Sequence, residues 1–370
     1  MNQSGLDRRQ VLSLALAAAA LPASREALAR KAQRTPMSLR YPLRLSANEN
    51  PWGPGPQARA AIVAATDEGC RYGMDFQARL VEAVAAREKV DKSSIAIGSG
   101  SGELLHMLAF GWCERGEVVC AWPTFNQLMS FGEKIGAQVR KVPLDANLCH
   151  DLPALAAATT PNTSLLYVCN PNNPSGTVID GPRLRAFCAE MAQRTLVVVD
   201  EAYLDLVDEG ATESMVDLAR SGANVVVLRT FSKIHGLAGM RVGYAVARPD
   251  VAAKLRRLTF TTPNTLGLAA ATASLGDADF LARTRAALIA DRKRITAACD
   301  ELGLRYAPPQ GNFVFFKPGI PLDAFRAKMK DKQIEVGRPF EPLLDWCRVS
   351  VGTTEETTVF IEALRAAVKA

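Results

Sequence analysis

Residues 196–203 read LVVVDEAY, four apolar residues running straight into a carboxylate. A helix face would space its apolar positions by three or four, and a half-buried strand would alternate them with polar ones. An unbroken run of Leu and Val instead predicts a short strand covered on both faces and ending where Asp200 begins. Three more runs of this kind lie around it, at 94–97, 164–169 and 224–228. Helical stretches such as 181–194 separate them, so the order is βαβ and the predicted sheet is mainly parallel. A polar cluster follows each run: GSGSGELL, NPNNPSG, DEAY and RTFSK, in that order. In open α/β sheets the ligand crevice lies beyond the carboxyl ends of the strands, so the four clusters are predicted to converge on one site.

The rest of the chain narrows the class. Its 370 residues are 48% hydrophobic and 22% charged, which excludes a disordered chain and suits two domains. Eight cysteines without a CxxC pair are too dilute for a disulfide framework, and three histidines offer no metal cluster. Residues 1–29 carry Arg8 and Arg9, an apolar run from Val11 to Leu21, and Ala27-Leu28-Ala29. This pattern predicts a Tat-like signal peptide and an exported, periplasmic mature chain. The apolar run is too short to span a bilayer. Of the net charge of +6, the leader holds one, and Arg30, Lys31, Arg34, Arg40 and Arg44 account for the other five. The body is therefore electrically balanced, with no basic, aromatic-interleaved face for nucleic acid.

Taken in order, GSGSGELL, PTF (123–125), NPNNPSG, VVVDEAY, TFSKIHGLAGMRVGY (230–244) and RVSVGT (348–353) resemble the fold-type I pyridoxal-phosphate-dependent aminotransferases. Within them the chain is most similar to the histidinol-phosphate aminotransferase branch. The resemblance runs from LSANENPWGP at Leu45 to the C-terminus. It implies an α/β fold whose large domain, 71–265, has a mainly parallel sheet flanked by helices. A smaller α+β domain would follow over 266–370, joined by an N-terminal arm and segment over 30–70. It also implies pyridoxal 5'-phosphate as cofactor and a homodimer.

The resemblance assigns roles residue by residue. Lys233 would hold the cofactor as a Schiff base and then move protons; a solvated lysine could do neither, because its amine stays protonated at neutral pH. Asp200 abuts a buried strand and needs a partner for its charge, and the implied partner is the cofactor's ring nitrogen. Tyr203 and Asn173 would hydrogen-bond the ring's 3′-oxygen from two sides, and Phe125 would stack on the ring. Ser99, Gly100, Ser101 and Gly102 precede a helical pattern, so their backbone amides suit a phosphate. Thr230, Ser232 and Arg241 would form the opposite wall of that cup. The family usually carries an acid where Gly102 stands, which leaves this position without a side-chain role. Tyr72 would cross the dimer interface to the partner's phosphate. Arg348 would grip the donor's acidic group, with Asn48 and Asn312 lining the same pocket. Arg338 would either join them or brace the small domain.

The implied reaction is ping-pong transamination between an amino acid or histidinol-phosphate-like donor and a 2-oxo acid. The same scaffold hosts decarboxylases, lyases and cyclases, the competing expectation. An exported enzyme has little reason to serve a cytoplasmic biosynthetic route, so the donor stays open.

Overall fold

A short strand, β1 (Leu43–Leu45), precedes the seven that form the main sheet: β2 (Ile95–Gly98), β3 (Glu117–Trp122), β4 (Gln138–Pro143), β5 (Thr163–Cys169), β6 (Leu196–Asp200), β7 (Val225–Thr230) and β8 (Gly243–Ala247). The computed structural model describes residues 39–114 and 116–369, and from Tyr41 onward the chain is one compact unit. Residues 1–38, which include the predicted signal peptide, lie outside the described residues. The sheet order is β2-β8-β7-β6-β5-β3-β4, parallel throughout except for β8, which runs against both of its neighbours. The expected α/β class with a mainly parallel sheet is the one observed.

The missing alternation in β6 has a direct cause. Val197 and Val199 pack into the core on one face of the sheet, Leu196 and Val198 into the core on the other. The first face is covered by α1 (Pro56–Ala64), α2 (Met74–Glu88), α5 (Leu152–Ala158), α6 (Gly181–Met191), α7 (Val216–Arg220) and α9 (Thr265–Leu275). The second is covered by α3 (Ser101–Trp112), α4 (Gln127–Lys134) and α8 (Pro249–Arg257). Each Val or Leu buried in this way contributes about 1.5–3 kcal/mol. Polar residues at alternate positions would forfeit one of the two cores.

Boundaries shift by a few residues. The helix expected over 181–194 stops at Met191, and its start is fixed by Pro182 and by Asp180, whose carboxylate accepts the Arg183 amide at 3.2 Å. Ser94, expected as the first strand residue, sits in a one-turn 3₁₀ helix capped by Asp91. Strands β3, β4 and β8 lie outside the predicted runs. β4 is an edge strand whose side chains are mostly exposed, so its composition carries no burial signal.

Beyond α9 come α10 (Ala278–Glu301), β9 (Phe313–Phe316), α11 (Leu322–Asp331), β10 (Ile334–Val336), β11 (Cys347–Ser350) and α12 (Thr354–Lys369). β11 pairs antiparallel with β9, and β10 pairs parallel with β1. No helix among the described residues is long and apolar enough to cross a membrane. The reversal of β8 has a consequence for position. Because β8 starts at the rim where β7 ends, the connection 231–242 stays at the carboxyl edge of the sheet, carrying both Lys233 and Arg241.

Candidate active site

At that rim lies a cavity of about 290 Å³. All four predicted clusters reach its wall: Ser101 and Gly102 beyond β2, Asn173 beyond β5, Asp200 and Tyr203 at β6, and Thr230, Ser232 and Lys233 at β7. Phe125, Arg241, Asn48 and Arg348 also line it.

One end is built to hold an anion. Arg241, in a left-handed backbone conformation, donates from Nη1 to the Ala238 carbonyl at 2.9 Å and to Ser232 Oγ at 3.4 Å. Gly100 has φ +82°, and a Cβ there would meet Arg241 Nη2 at 2.2 Å. Only glycine lets the guanidinium come this close to the start of α3. The expected row of four free amides is shorter than it looks in sequence. The Ser99 amide donates to Glu103 Oε2 at 2.5 Å and the Gly100 amide to the Gly98 carbonyl at 2.7 Å. Ser101 and Gly102, in the first turn of α3, remain as donors facing the cavity. The Thr230 hydroxyl donates to Ser232 Oγ at 3.0 Å.

The centre holds a buried acid and a half-buried amine. Asp200 is 2% exposed; its Oδ2 accepts the Tyr167 hydroxyl at 2.9 Å and its Oδ1 the Ala202 amide at 3.1 Å. Burial pushes its pKa up, against the pull of those hydrogen bonds and of Lys233. Lys233 Nζ donates to the Asn48 carbonyl at 3.0 Å. Burial, reinforced by Arg348, lowers its pKa to about 8, so a neutral amine is accessible near physiological pH. Tyr203 Oη accepts from Asn48 Nδ2 at 3.1 Å and Asn173 Nδ2 at 3.3 Å. Its own proton stays free for an oxygen in the cavity, and burial pushes its pKa up to about 12.

The far wall is drawn from both ends of the chain. Arg348 donates to Asn173 Oδ1 at 2.6 Å and to the Ser46 carbonyl at 2.7 Å, while its Nε is buried without a partner. Ser350 lies beside it on β11, donating to Asn48 Oδ1 at 2.9 Å. The polar–apolar alternation of RVSV therefore does not mark a solvent face: every residue of β11 is buried, and its polar side belongs to this network. Asn312 does not line the cavity; its amide donates to the Asn48 and Glu49 carbonyls, both at 3.1 Å. Arg338 is also absent from the wall, exposed with its guanidinium 4.5 Å above the Phe340 ring. Tyr72 is 90% exposed and is not brought to this cavity within one chain.

The family described as aminotransferase class I and II matches residues 41–364. This chain belongs to that family. It is 41% identical over 333 residues to a histidinol-phosphate aminotransferase of Symbiobacterium thermophilum, covering 88% of this chain and 90% of that one. It is 39% identical over 327 residues to an aromatic amino acid aminotransferase of Mycobacteroides abscessus, covering 88% and 92%. The solved structure of histidinol-phosphate aminotransferase from Sinorhizobium meliloti, in complex with pyridoxal-5'-phosphate, superposes with a TM-score of 0.83 at 30% identity, covering 93% of this chain and 94% of that one.

Two polar groups of this aminotransferase's site have no role assigned from the sequence. Tyr167 is a fully buried hydroxyl inside an apolar strand, and its bond to Asp200 arises because β5 and β6 are neighbours. Glu103 ties the α3 start to the 261 loop through the Thr261 amide at 3.1 Å. A lone polar residue within a buried run is the one available signal for Tyr167.

Proposed function

We propose that this aminotransferase uses pyridoxal 5'-phosphate in the rim cavity to move an amino group from an amino acid or histidinol-phosphate-like donor to a 2-oxo acid, by a ping-pong mechanism with Lys233 as its catalytic amine. The observation that carries the reading is the Lys233 amine itself, half-buried, hydrogen-bonded to a backbone carbonyl and with its pKa lowered to about 8 within the same cavity as Asp200. The donor set suits the cofactor: the Gly100–Arg241 approach with the Ser101 and Gly102 amides fits a phosphate, and the buried Asp200 lacks a cationic hydrogen-bond partner of its own.

When bound, pyridoxal 5'-phosphate supplies an aldehyde that condenses with amines and a ring that takes up the electron pair left on the donor's α-carbon. Asp200 would keep a proton on the ring nitrogen, with Tyr167 and the Ala202 amide fixing the carboxylate. Lys233, once neutral, accepts the proton from the donor's α-carbon. Tyr203 and Asn173 would offer hydrogen bonds to the ring's 3′-oxygen, and Phe125 would pack against the ring. Arg348, held in place by Asn173 and Ser46, would meet the donor's acidic group. The names of the two relatives support histidinol phosphate and aromatic amino acids as the donors to try first.

Lys233→Ala is expected to abolish transamination while the fold persists, checked by steady-state turnover alongside circular dichroism. Substantial turnover without an added amine would remove Lys233 from this role. We also propose a homodimer in which Tyr72, exposed beside Met74, meets the partner's site; an active monomer in sedimentation would refute it. Export rests on Arg8 and Arg9. Arg8→Lys with Arg9→Lys is expected to trap active enzyme in the cytoplasm with residues 1–29 uncleaved. Wild-type activity confined to the cytoplasm would sink that reading.

A further inference from the structure

Gln127 lines the cavity from the first turn of α4, and its carboxamide lies on the backbone of Gly102. A Cβ at position 102 would stand 2.7 Å from Gln127 Nε2 and 2.8 Å from Oε1, so any larger residue would drive the carboxamide off. The carboxamide is also held from behind. Its Nε2 lies 3.2 Å from His106 Nε2, and the His106 ring stacks on Phe131 at 4.6 Å. Gly102 and His106 are four apart on α3, Gln127 and Phe131 four apart on α4, so two helix faces close on one side chain. Among the described residues His106 is its one side-chain partner, which leaves an N–H and the carbonyl oxygen available at the cavity wall. Burial keeps the His106 imidazole below its ordinary range, hence neutral and able to accept.

We infer that Gln127 is a further ligand of the cofactor's phosphate, donating from its carboxamide beside the Ser101 and Gly102 amides, with His106 as the positioning residue behind it. The inference rests on the pyridoxal-phosphate reading. Its chemistry is that of the anion cup: Arg241 and Ser232 close one side, the α3 amides the base, and Gln127 the side toward α4. A neutral donor adds reach without adding charge, and glycine at 102 makes the room.

The test measures dissociation constants of the full-length enzyme for pyridoxal 5'-phosphate and for pyridoxal, which lacks the phosphate. Gln127→Leu removes the donor and is expected to weaken pyridoxal 5'-phosphate by roughly three- to tenfold. Gln127→Glu keeps the shape and sets a carboxylate against the phosphate, so the loss is expected on the order of a hundredfold. Pyridoxal should bind both variants as it binds wild type. His106→Phe, which keeps the ring stack, is expected to weaken the phosphate form by a smaller factor, and to add nothing on top of Gln127→Leu. Wild-type enzyme that holds the cofactor while Gln127→Glu holds it equally well would overturn the inference alone. Equal losses for pyridoxal would overturn the phosphate assignment. Wild type that binds no pyridoxal 5'-phosphate would overturn the underlying reading, and this inference with it.

Discussion

The two long walls of the cavity are made in different ways. The strand-exit wall comes from residues 101–241, each delivered by a neighbouring strand of one sheet. The opposite wall joins Asn48 to Ser350 and Ser46 to Arg348, each pair 302 residues apart, through side-chain and backbone hydrogen bonds. The sheet positions its residues by backbone pairing and two cores; the second wall depends on a few polar contacts around one asparagine. Damage to the first should therefore strike chemistry with the fold intact, and damage to the second should strike donor selection and local stability.

Asp200→Asn presses hardest on the first wall. The amide keeps the shape but cannot hold a proton on the ring nitrogen, so kcat is expected to fall on the order of a thousandfold. Thermal unfolding should change little; a large fall in Tm with modest kinetic loss would make Asp200 structural. Arg348→Ala presses on the second wall. For acidic donors kcat/KM is expected to drop by roughly ten- to a thousandfold while cofactor binding holds. Parallel loss of cofactor would instead place Arg348 in the scaffold, and the contrast between the walls would dissolve. Asn48→Ala is the gentlest. It removes the bonds to Tyr203 and Ser350 and puts alanine at φ 54°. Urea unfolding should show about 2 kcal/mol lost, with pyridoxal 5'-phosphate still bound. A neutral result would mean that the asparagine is not the keystone its bonds suggest.

This contrast also divides what is legible in the sequence. LVVVD is legible because burial on two faces removes alternation, and Asp200, Lys233 and Asn173 are legible because each stands at the end of such a run. The exits can be foreseen to converge because parallel strands share a rim. The second wall enters only by resemblance, since no local pattern states that residues 48 and 350 touch. Asn312 shows the limit: expected as a pocket residue, it anchors the Asn48 and Glu49 carbonyls from behind. Ser99 shows another, for its amide looks free until Glu103 reaches back to it from the first turn of α3. Both departures concern hydrogen bonds that no string of residues states.

The tie between Asn48 and Ser350 has a meaning for how this chain comes into being. During synthesis the N-terminal half of the contact emerges early and must wait for nearly the whole remaining chain before its partner exists. Closing so long a loop costs conformational entropy that no local contact repays, so the sheet is expected to collapse first and the second wall to lock last. The carbonyl that receives the Lys233 amine belongs to the same asparagine. A nascent chain truncated before β11 would then carry the lysine without the enclosure that detunes it, which places the birth of a reactive amine at the final step of folding rather than at the formation of the sheet.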